Sequence, residues 1–185
     1  MKKILSLLFL FAFCGLKAQF FAYDPFDDNS NEWFVRDDDS VTANVTGGVL
    51  DVNQKLGSFY NDVKGVTIDT AGEFRVEAMA GYVSGKTGVS YGICWGAADL
   101  GNFHIFYITA DGSFGFSTLH DHKLYDDFHP EQNPIINKNG KNWLRVSVEK
   151  DASGQRKMIF CINELIVKTI DLIHPYGTLF GFFVG

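Results

Sequence analysis

Three things are scarce in this 185-residue chain: cysteine, positive charge, and long apolar runs beyond its first residues. Three cysteines are too few for a small scaffold held together by disulfides. With 16 basic against 22 acidic residues the formal charge is −6, a poor match to nucleic acid or an anionic membrane surface. No segment approaches the ~20 uncharged apolar residues of a membrane-spanning helix. Nor does any later window keep an apolar 3.6-residue period for three turns, which argues against a helical fold.

The first residues, MKKILSLLFLFAFCGLKAQ, carry Lys2-Lys3 ahead of an apolar run and end on the small Ala18. They read as a secretory signal peptide over 1–18, with export to the periplasm, cell surface or medium. Bulky Phe13 before Cys14 argues against lipid attachment there. The remainder, 19–185, suits one domain. Cys94 and Cys161 lie in the apolar runs GICWG and IFCIN, where buried thiols or a bridge between them are both open.

Short β-branched and aromatic runs recur between Gly, Asn, Asp and Ser clusters, which predicts an all-β, two-sheet antiparallel β-sandwich. Candidate strands are VTANV, VLDVN, GSFYND, EFRVEAMAGYV, VSYGICWG, FHIFYIT, SFGFSTLH, NWLRVSVEK, KMIFCIN, LIVKTID and LFGFFVG. Thr46-Gly47-Gly48, Ala110-Asp111-Gly112 and Ala152-Ser153-Gly154 read as hairpin turns. For the middle one, a three-residue loop pairs Ile108 with Phe114, Phe106 with Phe116 and His104 with Thr118, collecting bulky residues on one face. Asp121 to Asn142 reads as the longest connection.

The order of DPFDDNSNEW, VTGGVLDV, YGICWG, FHIFYITADGSFGF, WLRVSVEK, FCINELIV and GFFVG resembles the concanavalin A-like lectin/glucanase (LamG-like) jelly rolls. That group includes secreted bacterial domains without assigned activity. Two departures stand out. Asn163-Glu164 replaces the usual Asn-Gly and leaves the tightness of that turn open, and the chain stops at Gly185 where similar domains add a strand, so either the sequence is truncated there or an edge is left open.

The resemblance implies a carbohydrate-binding module or a glucanase. The glucanase run Glu-x-Asp-x-x-Glu is absent; Glu73 and Glu77 approximate it without the central acid. Nucleophile elbows, His-Glu-x-x-His and phosphate loops are missing too, so no catalytic residue is assigned. The leading expectation is a non-catalytic module for carbohydrate or another cell-surface ligand. The alternatives are a glycoside hydrolase drawing on His120, His122, Asp126 and Asp127, or an adhesive domain. Tyr91 and Trp95 on one strand face, with Tyr107, are the expected ligand aromatics. His120 and His122 would join His104 at one sheet edge, flanking a binding face or holding zinc. Calcium, the usual metal of lectin-like jelly rolls, would take Asp27, Asp28 and Asn29, with Asp37–Asp39 and Asp126-Asp127 as further oxygen donors.

Overall fold

The computed structural model describes residues 22–55, 60–64 and 68–185, so the expected signal peptide and part of GSFYND lie outside the described residues. One layer is a six-stranded antiparallel sheet in the order β4 (Tyr60–Lys64), β13 (Leu179–Val184), β6 (Ser90–Asp99), β7 (Asn102–Thr109), β8 (Ser113–His120), β9 (Lys123–Gln132). Facing it is a four-stranded sheet, β12 (Leu165–Asp171), β11 (Arg156–Ile162), β10 (Lys141–Lys150), β5 (Phe74–Gly81). A small sheet of β1 (Arg36–Asp37), β2 (Val41–Thr46) and β3 (Val49–Gln54) packs Val41 and Ala43 against Tyr60. This is the expected all-β sandwich. No helix of the described residues is long and apolar enough to cross a membrane.

Strand alternation sends every second side chain inward. Ile93, Trp95, Phe106, Ile108, Phe114 and Phe116 of the larger sheet meet Val76, Leu144, Val146, Val148, Met158 and Phe160 of the smaller one in a single buried cluster. The β7–β8 register is the expected one: Ile108 opposite Phe114, Phe106 opposite Phe116, His104 opposite Thr118. Gly112 at φ 96° supplies the left-handed residue that closes this loop. Asp111 fixes it by accepting from the Thr109 and Ser113 hydroxyls.

Two expectations need correction, and one open alternative closes. Asp121 to Asn142 is not one long loop, because Lys123 to Gln132 forms the edge strand β9. Its side chains are almost all exposed, so it lacks the half-buried alternation that betrays a strand. The strand at Gly185 is not an open edge: β13 lies between β4 and β6, and Gly185 exchanges two backbone hydrogen bonds with Ser90. Of the two readings of Cys94 and Cys161, buried thiols hold: both are free, they lie on different sheets, and burial pushes the Cys94 thiol up.

The late hairpin is tight without glycine. Asn163 (φ 49°) and Glu164 (φ 69°) both take left-handed conformations between the paired Ile162 and Leu165. Asn163 compensates: its Oδ1 accepts from the Trp143 amide at 2.9 Å, and its Nδ2 donates to the Ile135 carbonyl at 2.8 Å and Asn142 Oδ1 at 3.0 Å. Glu164, exposed, has no such anchoring among the described residues. Glu164→Gly is therefore expected to stabilise the fold by about 0.5–1 kcal/mol, whereas Asn163→Ala should cost about 2–4 kcal/mol. Urea denaturation of the two variants checks both signs.

Candidate ligand-binding site at the end of the six-stranded sheet

The histidine-rich stretch is a hairpin. Asp121 (φ 49°) and His122 (φ 60°) form its two-residue turn, and His120 pairs with Lys123. His122 is therefore not on the strand beside His120. Its ring lies over Gly101, so close that a methyl group there would meet Cε1 at 2.6 Å, and its charge helps keep the Asp99 carboxyl low behind the hydrogen bonds from Gly101 and Asn102.

His104 and His120 do converge, and Tyr176 joins them. The Tyr176 ring centre lies 5.2 Å from that of His104 and 5.1 Å from that of His120, the latter at an interplanar angle of only 9°. Tyr176 comes from the His174-Pro175-Tyr176-Gly177 segment between β12 and β13. The Gly177 amide donates to the Gly96 carbonyl at 2.8 Å, with Pro175 seated on Gly96. Gly96 has φ +63° and a side chain there would strike Pro175 at 2.6 Å, so the seat requires glycine. His174 contributes its carbonyl, which accepts from His104 Nε2–H at 3.1 Å.

The other nitrogen of His104 continues the network. Nδ1 lies 2.9 Å from Thr118 Oγ1, which lies 2.5 Å from Asp127 Oδ2. A hydroxyl has one proton to donate. With His104 neutral, both Nδ1 and the Asp127 carboxylate compete for it; with His104 protonated, Nδ1–H donates to Thr118 Oγ1 and the Thr118 hydroxyl donates to Asp127. Burial works against the charged form and lowers the His104 pKa, while the His174 carbonyl and Asp127 oppose that shift.

Outward from this network the surface is aromatic and acidic. Tyr176 is 39% exposed and Tyr125 52% exposed. The charges of Asp127 and Asp121, after burial, raise the Tyr176 hydroxyl. His120 Nδ1 lies 3.0 Å from Asn102 Oδ1. Rings to lie under a sugar and polar groups to take its hydroxyls are thus within one patch. Sequence reasoning missed Tyr176 and Tyr125, whose segments carry no strand or motif signal.

The other expected site residues are placed differently. Tyr91 and Trp95 face the inter-sheet core, because Tyr91 pairs with Ile108 and Trp95 with His104. Trp95 is 0% exposed, and its Nε1–H and the Tyr91 hydroxyl have no hydrogen-bond partner among the described residues. Tyr107 is on the opposite face, 7% exposed in a second apolar cluster with Phe103, Ile105 and Leu119. These three do not form one ligand surface. Asp126 accepts from Ser117 and Asp127 from Thr118, consecutive residues on opposite sides of β8, so the two acids do not flank one sugar.

Of the expected calcium donors Asp27, Asp28 and Asn29, the last two already take part in hydrogen bonds within their own loop. Asp28 Oδ1 accepts from the Ser30 amide at 2.8 Å, while Asp24 accepts from Phe26 and Trp33, and the segment closes on itself as a structural loop. Asn29 Nδ2 donates to the Trp33 carbonyl, leaving its buried Oδ1 without a partner. Asp38 likewise caps the turn before β2, and Asp37 binds Lys55. Among the described residues no three His, Cys, Asp or Glu side chains are placed to hold an ion, zinc included. An open cleft of about 380 Å³ lies beside this loop, lined by Tyr23, Glu32, Trp33 and Lys64. Lys64 is already paired with Asp62 at 3.4 Å, and Trp33 is buried.

No protein-family model matches the sequence, and no curated protein matches it. Among solved structures the chain is similar to sheep galectin-11 in complex with glycerol, at 12% identity and TM-score 0.48, covering 66% of this chain and 88% of that one. It is also similar to the carbohydrate-binding module CBM66 from Bacillus subtilis, at 11% identity and TM-score 0.48, covering 82% and 81%. At that similarity neither structure bears on which residues of this chain bind.

The depressed His104 pKa has a definite sign. A group whose folded pKa lies below its unfolded value stabilises the fold above the unfolded value and loses that contribution as pH falls. Thermal stability is expected to drop as pH falls below 6.5, the ordinary histidine value, and before the carboxylate range is reached. His104→Gln should flatten that part of the profile, read as melting temperature against pH.

Proposed function

We propose that this is an exported, non-catalytic binding module that engages carbohydrate at the end of the six-stranded sheet, through Tyr176, Tyr125 and His120 with Asp121, Asp127 and Asn102. One observation carries the reading: a partly exposed Tyr176 held nearly parallel to His120 beside acidic side chains. Held rings lose little freedom when a sugar arrives, so more of the contact energy appears as affinity. Export rests on the leader-like first eighteen residues. The hydrolase alternative loses its best acid pair, since Asp126 and Asp127 face opposite sides of the sheet.

A glycan array with the protein and its Tyr176→Ala and Tyr125→Ala variants tests the proposal. Binding to a defined set of glycans, weakened roughly tenfold or more by Tyr176→Ala, is expected. Absence of binding to any glycan, or binding indifferent to both substitutions, would overturn it.

A further inference from the structure

The outer face of the four-stranded sheet carries a cation with no ion-pair partner among the described residues. Arg145 of β10 sits directly between Glu77 of β5 and Cys161 of β11. Glu77 is engaged elsewhere: its Oε2 pairs with Arg75 Nη2 at 2.5 Å and accepts from Trp143 Nε1 at 3.2 Å. Glu149, two positions further than Ser147 on the same face, accepts from the Ser147 hydroxyl. Arg145 makes one side-chain bond among the described residues, from Nη2 to the Cys161 sulfur at 2.9 Å, and its Nε is covered without a partner. A thiol is a weak acceptor and supplies no negative charge. In a chain of net charge −6, a guanidinium with no carboxylate within ion-pair distance among the described residues is conspicuous.

Beside it lies the means to hold a ring. Trp143 is half-buried, its indole fixed at the edge by Glu77, and its cross-strand neighbour Met79 is 55% exposed. Guanidinium groups recognise carboxylates through paired donors, and an indole face accepts the C–H face of a sugar. We infer that this face is a second ligand site, for a carboxylate-bearing saccharide, with Arg145 taking the carboxylate and Trp143 lying against the sugar ring. It uses β5, β10 and β11, none of which supplies a residue to the Tyr176 patch, so it stands or falls separately from that one.

Calorimetric titration of the protein with tetragalacturonate, and with neutral cellotetraose as control, provides the test. Tetragalacturonate should bind, weaken with added salt, and exceed cellotetraose by roughly tenfold or more. Arg145→Gln should lose that preference, and Arg145→Lys should retain part of it. Circular dichroism verifies folding of each variant, and Trp143→Leu replaces Arg145→Gln should the latter unfold; it should also abolish binding. No binding of tetragalacturonate, equal binding of the neutral sugar, or binding that survives both Arg145→Gln and Trp143→Leu would overturn the inference.

Discussion

Phe160 is where the two sheets meet. From β11 it contacts Phe106 at 5.1 Å, Phe116 at 5.2 Å, Trp95 at 6.0 Å and Phe128 at 6.1 Å between ring centres, all four from the opposite sheet. Offset and edge-on pairs of this kind contribute about 0.5–1.5 kcal/mol each beyond their buried area. They also fix the distance and angle between the layers, which a core of small aliphatic residues would specify less sharply. The structure accepts a cost here: Trp95 buries its Nε1–H without a partner, a penalty of about 1–3 kcal/mol.

The same rings lead out to the surface. Trp95 stacks on Phe116 at 5.4 Å and lies 5.4 Å from His104, which in turn lies against Tyr176, and Tyr176 against His120. Order in the core is thereby passed through four contacts to an exposed ring. The polar side of the path is as constrained, since His104 is held by the His174 carbonyl on one side and by Thr118 on the other. The Tyr176 segment is thus positioned by the core rather than left as a free loop, as a preorganised binding surface requires.

How much of this the sequence discloses varies with the kind of signal. The β7–β8 hairpin is legible to the residue, because Asp111-Gly112 fixes the loop and only one register places Phe106, Ile108, Phe114 and Phe116 together. Trp95 and Tyr91 were legible as sharing a face, but which face is inner depends on pairing with β7, information that no single strand contains. Strand β9 escaped because an exposed edge strand has no buried side to alternate with. The His122 turn escaped because neither Asp121 nor His122 is glycine, although both adopt left-handed geometry. Tyr176 is brought to the histidines by a contact some seventy positions apart from His104 in sequence, visible only once the sheet is assembled. Arg145 is identified by what its neighbours do with their charges, which spacing does not encode.

The central claim is that ligand is met at the Tyr176 end of the six-stranded sheet and not by the aromatics within the sandwich. Two-dimensional amide and imidazole NMR of the protein, titrated with a neutral glycan that it binds, tests this most directly. The account requires the largest shifts at Asn102, His120, Asp121, Tyr125, Asp127 and Tyr176, with Tyr91 and Tyr107 nearly unmoved. Shifts confined to the loop from Asp24 to Trp33, or to the Tyr107 face, would contradict it.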